Sequence, residues 1–302
     1  MDAGTIISTA WRLYKTSFLK VLPLSLRGTA WLGFPICIGL VGVLWAMDQD
    51  VFGRELSSFL GLLGPSWIVL FLWCSAQSLG EFAAISRLVH RRLVTAEVMT
   101  EQSVAEAMRF TRSRKFSLLG SAVIQWLILG TINFIALVVA AFSVGMIFYG
   151  IGLVTGQPSP GLFFEGGAIL LISTVLFTSL SVWLSMRFLV TEQALAVETY
   201  SGVVRSISRS WKLMKRHFWK AIGAVLLAML ICLPLLLIVV IVVQSILSVV
   251  LSWLAVYDPS QRLLASFVVS YLISGIIVSP FMRTVVTTLY FDIRNRKESI
   301  EA

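Results

Sequence analysis

Two apolar runs in this sequence are longer than a single membrane span requires. No charged residue occurs from Phe116 to Phe164, or across the 37 residues from Ala221 to Tyr257. Charged residues make up 13% of the chain and hydrophobic residues 58%, whereas a soluble domain has roughly 25% and 45–50%. The chain therefore needs lipid as its solvent, and we predict an all-α integral membrane protein.

A membrane span needs about 20 apolar residues to cross about 30 Å of hydrocarbon. Each overlong run is expected to hold one span with an outer helical extension or bend, because one more span would invert every later loop. Gly145, Gly150 and Gly152 are candidate break points, and Pro234 is a candidate kink. The six predicted spans cover residues 29–47, 60–79, from about 118, 168–186, from about 221, and 264–282.

The basic residues predict the orientation of the spans. Of 24 lysines and arginines, 22 lie before span 1, between spans 2 and 3, after span 4, or at the end of span 6 and beyond. Only Arg54 and Arg262 fall in the opposite loops, which also carry acidic residues: Asp48, Asp50, Glu55, Glu165 and Asp258. This positive-inside pattern predicts a multi-pass protein of a bacterial-type cytoplasmic (inner) membrane, with both termini cytoplasmic.

An internal repeat organises the spans. Residues 7–20 (ISTAWRLYKTSFLK) and 207–220 (ISRSWKLMKRHFWK) share seven of fourteen residues, and a weaker copy surrounds Arg109, Arg112 and Phe116. The unit is an amphipathic helix, a span, an outer loop and a span, so three copies give six spans. We expect one membrane domain over 1–302, with repeats at about 4–92, 102–198 and 201–298.

The repeated segment has an apolar, aromatic stripe opposite its basic residues. Ile207, Trp211, Met214 and Phe218 follow helical spacing, as a helix lying in the membrane interface requires. The alternative is that the stripe packs on the protein's own spans. The candidate residues for contact with lipid headgroups or the interface are Trp11, Arg12, Lys15, Lys20, Arg109, Arg112, Trp211, Lys212, Lys215, Arg216 and Lys220.

Polar residues within or beside the spans are few. The intramembrane candidates are Glu81, Gln125, Asn133 and Gln244. Glu81 is a functional candidate as an ionisable group in a span, but Arg87 follows six residues later, so it is expected near the inner interface. The three amides either join helices or line a cavity. Beyond span 4, Arg187 and Glu192 resemble a border ion pair. Arg283, at the end of span 6, is expected either to reach the interface or to pair with Asp292.

The sequence contains no recognisable catalytic or metal-binding pattern. Its two histidines and three cysteines lack ligand spacing, and no HExxH, GxSxG, P-loop or GxGxxG pattern occurs. We therefore predict no enzyme activity, no metal site and no cofactor. We attribute the net charge of +9 to the orientation of the spans and to contact with anionic lipid headgroups, and not to the binding of nucleic acid.

Two segments of the chain resemble a known family. The first is the block WKLMKRHFWK (Trp211–Lys220), which enters a span. The second follows the proline-containing last span, where the chain leaves the membrane as LYFDIRNRKE (Leu289–Glu298). The chain resembles the membrane domain of the glycerophosphoryl diester phosphodiesterase membrane-domain family and related six-span bacterial proteins. The membrane repeats take up the whole chain and leave no segment for the family's soluble catalytic barrel. The resemblance therefore implies a membrane module and gives no reason to expect phosphodiesterase activity.

Two functions compete at this point. The first is a non-catalytic membrane module that organises lipid, or a membrane or cytoplasmic partner protein, at the cytoplasmic face. The second is a transporter, or the membrane subunit of one, for a hydrophobic or amphipathic substrate. A polar cavity at Gln125, Asn133 or Gln244 would favour the second, and a dry core would count against it.

Overall fold

The protein is built from helices. The computed structural model describes residues 2–48, 56–95, 99–152, 156, 160–198, 202–254 and 259–301. Within these ranges the chain forms helices and no strand, which confirms the predicted all-α class. The helices are α1 (Ala3–Asp48), α2 (Leu56–Thr95), α3 (Glu101–Ser113), α4 (Lys115–Gly150), α5 (Pro160–Phe188), α6 (Thr191–Val197), α7 (Val203–Met214), α8 (Phe218–Leu254) and α9 (Pro259–Glu301).

Six of these helices are long and apolar enough to cross a membrane: α1, α2, α4, α5, α8 and α9. The run from Ala221 to Tyr257 contributes one helix, α8, and the run from Phe116 to Phe164 contributes α4 and the first residues of α5. Each run therefore holds one spanning helix, as expected. Gly145 lies within α4, which ends at Gly150, and Gly152 follows with a φ of 77°. Helix α8 continues through Pro234. The outer-loop residues Asp50, Arg54, Glu55 and Asp258 lie outside the described residues.

Helices α1, α2 and α9 are much longer than a span requires. The 46 residues of α1 extend about 69 Å at 1.5 Å per residue, against about 30 Å of hydrocarbon. Residues 7–20 form the first part of this continuous helix. The predicted amphipathic helix before span 1 is thus not a separate helix. Separate short helices do precede α4 and α8, namely α3 and α7.

The spanning helices divide into a bundle and a hairpin. Helix α1 packs against α2 and α9, and α9 packs against α8, which makes the bundle. Helices α4 and α5 pack mainly against each other. Only 6% of the most apolar stretch of α4 is buried, against 50% for α2. The α4–α5 hairpin therefore exposes most of its surface to the surroundings, which its apolar composition suits to lipid.

The tightly packed core lies towards the predicted cytoplasmic side. One cluster of buried residues joins α1, α6, α7, α8 and α9 around Ile6, Met214 and Tyr290. A second joins α1, α2 and α3 around Leu24, Ile85 and Ala107. These residues lie at or beyond the basic ends of the predicted spans, so the extended helix ends hold the bundle together there.

A proline break in α9 is repaired by α1. Pro280 has no N–H to donate to the carbonyl of Ile276 one turn earlier. Ser25 donates a hydrogen bond to that carbonyl at 2.7 Å, and the Tyr14 hydroxyl donates to the next carbonyl, Ile277, at 3.0 Å. Because a bare carbonyl is costly in an apolar environment, these bonds allow the proline and fix α1 against α9.

Replacing the fully buried Ser25 with alanine is expected to lower the free energy of unfolding by about 1–2 kcal/mol, because the Ile276 carbonyl loses its donor. Unfolding in mixed detergent micelles, followed by circular dichroism, measures the change. Ser8→Ala is the matched control, since the exposed Ser8 hydroxyl bonds only within its own turn, to Thr5. Equal stability of both variants and wild type would contradict the repair.

Candidate functional site

A largely buried ion pair lies at the predicted cytoplasmic border of the bundle. Arg283 of α9 pairs with Glu192 of α6, and their side chains are 23% and 20% exposed. The guanidinium of Arg283 also lies 5.4 Å from the centre of the Phe82 ring.

The sequence predicted other partners for these residues. Asp292 pairs with Lys220 and Arg296, and Arg187 donates a hydrogen bond to the carbonyl of Trp211 at 3.2 Å. The predicted pairings of Arg283 with Asp292 and of Arg187 with Glu192 are therefore wrong.

Above this ion pair a cavity separates the α4–α5 hairpin from the bundle. We call it the hairpin cavity; its volume is about 390 Å³. Glu192, Gln193 and Arg283, which follow predicted spans 4 and 6, form what we call its polar end, and the rest of the lining mixes apolar residues with a few polar ones. The cavity therefore offers both polar and apolar contacts. Its polar residues are Ser121, Gln125, Ser185, Glu192, Gln193 and Arg283, and its apolar residues are Leu79, Leu118, Ala122, Trp126, Leu129, Phe188, Leu189, Met282 and Val286.

The polar end of the hairpin cavity carries two acceptor oxygens that lack donors. Gln193 is 2% exposed, and its side-chain oxygen has no hydrogen-bond partner among the described atoms. The same holds for one carboxylate oxygen of Glu192. Buried acceptors are normally satisfied, so these two oxygens, which have almost no accessible surface, are unpaired polar groups in the wall of the cavity, beside the cation of Arg283.

A second opening runs along the hairpin itself. This hairpin groove, of about 520 Å³, lies between α4 and α5 and is lined by Asn133, Ser173, Thr174, Thr178, Ser181 and Ser185 among apolar residues. Ser181 donates to the Asn133 side-chain oxygen at 3.2 Å. Ser185 lines both the groove and the hairpin cavity, so polar residues continue from one opening into the other.

The predicted intramembrane candidates divide between these places. Gln125 lines the hairpin cavity and Asn133 the hairpin groove. Glu81 is 5% exposed and pairs with Arg112 across 3.7 Å, a contact between α2 and α3. Its other carboxylate oxygen has no hydrogen-bond partner among the described atoms. Gln244 is half-buried on α8 and lines neither opening.

The predicted headgroup candidates also divide into two groups. Lys20 donates to the carbonyl of Met99, Lys220 pairs with Asp292, and Arg112 pairs with Glu81. These three cations join elements of the protein. The others have exposed side chains available to a surrounding headgroup layer: Arg12, Lys15, Arg109, Lys212, Lys215 and Arg216.

The aromatic stripes pack largely on the protein. Ile7 belongs to a buried cluster with Phe281 and Val285. Trp11 is 47% exposed and meets the edge of Phe281 at 5.6 Å between ring centres. Trp211 is half-buried and contacts Trp183 at 5.4 Å. In both segments the stripe therefore faces neighbouring spans, with part of each tryptophan left exposed.

Sequence reasoning missed most of the cavity. Gln193, Ser185 and Phe188 were not singled out, and Glu192 and Arg283 were assigned other partners. A charged or polar residue just past a span is a signal that could have marked Glu192, Gln193 and Arg283 as site candidates. The contact between α6 and α9 that brings them together depends on tertiary structure and could not be read from the sequence. Among the described side chains, no three histidine, cysteine, aspartate or glutamate residues lie close enough to hold a metal ion.

Comparison with family models, with curated proteins and with solved structures finds no match to this chain. The resemblance to the phosphodiesterase membrane-domain family thus stays a prediction, carried by Trp211–Lys220 and Leu289–Glu298. The site has to be interpreted from its own geometry.

Arg283→Gln should destabilise the protein by about 2–4 kcal/mol, because Glu192 is left as a mostly buried, unpaired carboxylate. The double variant Arg283→Gln/Glu192→Gln should recover most of that loss, since no lone charge remains. Detergent unfolding of both single variants and the double variant measures the coupling. Additive losses would show that the two side chains act independently and would contradict the border ion pair.

Proposed function

We propose that this chain is a non-catalytic, multi-pass membrane module that holds a lipid at the cytoplasmic face of a bacterial-type inner membrane. The observation that carries the proposal is the hairpin cavity, whose lining combines charged and amide groups with a larger number of apolar side chains. A lipid likewise presents a polar headgroup and apolar acyl chains. Its headgroup would lie at Arg283, Glu192 and Gln193.

The depth of the cavity agrees with a lipid of the cytoplasmic leaflet. Its polar end is formed by residues just past predicted spans 4 and 6, the ends that the positive-inside pattern assigns to the cytoplasm. Its apolar wall continues along α4 through Trp126 and Leu129, towards the membrane interior. An acyl chain anchored by its headgroup at Arg283 would therefore follow the wall in the direction that the bilayer requires.

Exposed cations support the same assignment. Arg12, Lys15, Lys212, Lys215 and Arg216 would lie on the cytoplasmic side, where each basic residue near an anionic leaflet contributes on the order of 1 kcal/mol. They would concentrate anionic lipid around the module. The same proposal includes the threefold repeat, the cytoplasmic position of both termini and the resemblance to the phosphodiesterase membrane-domain family. A partner protein that binds the cytoplasmic surface is a further candidate ligand of the module.

The lipid site is tested by filling the cavity. Ala122→Trp adds bulk to a residue of the cavity wall and should reduce binding of a fluorescent-acyl phosphatidylglycerol to the detergent-solubilised protein at least tenfold, about 1.4 kcal/mol. Leu127→Trp is the matched control, because Leu127 is on the same helix, is 66% exposed and lines neither opening. Equal binding by both variants would overturn the proposal.

Movement of lipid is a second candidate function, favoured by the continuity of the two openings at Ser185. A headgroup leaving the hairpin cavity would meet Ser181, Asn133 and Thr178 in the hairpin groove, while its acyl chains remained in the surrounding bilayer. This is a route for an amphipathic substrate that requires no ionic group at mid-membrane.

Proteoliposomes containing a headgroup-labelled fluorescent lipid distinguish holding from movement. With movement, an impermeant reductant added outside should bleach more than the outer-leaflet half of the label, and Asn133→Leu/Ser181→Ala should slow that excess. With holding alone, bleaching should stop near one half, as in protein-free liposomes. Excess bleaching that the double variant leaves unchanged would contradict a path along the groove.

A further inference from the structure

A basic pocket lies at the cytoplasmic ends of α2, α3 and α9, apart from the hairpin cavity. Its volume is about 440 Å³ and its polar lining includes Arg87, His90, Arg91, Ser103, Glu106 and Arg294. It shares no lining residue with the hairpin cavity. The size falls in the range of small-molecule sites, roughly 300–1,000 Å³. This pocket therefore needs its own explanation.

Arg87 is held in one orientation by the surrounding helices. Its guanidinium donates to the carbonyls of Ala196 and Val197 at 3.1 and 3.5 Å, at the end of α6. It also lies over the Phe110 ring of α3, 3.4 Å from the ring centre. A guanidinium held in this way is pre-organised, and its planar fork of N–H donors matches the oxygens of a phosphate group.

The charges of the pocket favour an anion. Three arginines line it, from α2 and α9, and Glu106 is the one carboxylate among the lining residues that the structure describes. Arg91 contacts that carboxylate at 2.6 Å, and the two side chains are 47% and 68% exposed. Such an exposed carboxylate on an arginine can be displaced by a phosphate oxygen, which makes the same charge-assisted bonds.

The pocket lies in water and not among acyl chains. Arg91 follows Glu81, at the predicted inner border, by ten residues, which is about 15 Å along a helix. The intervening turns include Arg87 and His90, and charges of this density stay outside hydrocarbon. A soluble phosphate compound can therefore reach the pocket directly, whereas a lipid headgroup would have to leave the bilayer surface.

We propose that the pocket formed by Arg87, Arg91 and Arg294 binds the phosphate group of a small anionic molecule on the cytoplasmic side, in competition with Glu106. The two sources of such a group are a soluble phosphate compound and an anionic lipid headgroup. The depth of Arg91 favours the soluble source. The site stands independently of the hairpin cavity.

Calorimetric titration of the full-length protein in detergent with inorganic pyrophosphate, at constant ionic strength, tests the site. Arg91→Gln/Arg294→Gln should weaken binding at least tenfold. Glu106→Gln should tighten it about threefold to tenfold, because the competing carboxylate is gone, and this gain cannot result from misfolding. Glu101→Gln is the matched control: Glu101 is an exposed acid on the same helix outside the pocket lining, and it should leave binding unchanged.

The same variants in phosphatidylglycerol and phosphatidylcholine nanodiscs separate the two sources. Pyrophosphate binding with the predicted order of variants in both lipids supports a soluble ligand. A variant-dependent stabilisation by phosphatidylglycerol without pyrophosphate binding would assign the pocket to a headgroup and overturn the soluble source. Absence of both effects, or an equal gain with Glu101→Gln, would overturn the site.

Discussion

The exclusion of charge from hydrocarbon governs the arrangement of this protein. Six helices carry long apolar stretches, and nearly all lysines and arginines are confined to segments on one predicted side. Because a charge cannot follow a helix into lipid without large cost, the polar contacts between elements collect at that side. Lys220–Asp292, Arg209–Glu198 and Arg283–Glu192 all belong to this layer, and the best-packed clusters of the protein adjoin it.

That arrangement leaves the α4–α5 hairpin attached mainly at its basic end. Leu118 of α4 packs with Ala83 of α2 and Leu195 of α6 in a small buried cluster, while most of the apolar length of α4 is exposed. A hairpin joined in this way stands apart from the bundle above the junction, and the hairpin cavity is the resulting space. Its contents differ from the bundle core because polar residues of α5, α6 and α9 border it.

The sequence was sufficient to predict the all-α class and six spans, because hydrocarbon thickness and apolar run length set the span count directly. It was insufficient where two elements had to be placed side by side. Residues 7–20 resemble residues 207–220, yet the first lie within α1 and the second cross from α7 into α8. Arg283 was identified as unusual, but its partner Glu192 lies on a short helix whose position depends on packing. Gln125 was selected by polarity alone, and the structure places it in the hairpin cavity.

Photocrosslinking from the cavity wall tests the central proposal most directly. Leu118 is 1% exposed and lines the hairpin cavity, so a diazirine-bearing residue at that position can reach lipid only through the cavity. In native membranes, the account predicts a phospholipid adduct on the peptide that contains position 118. Crosslinks to α2, α6 or α9 alone, with no lipid adduct, would show a closed, protein-filled contact and would contradict a lipid site.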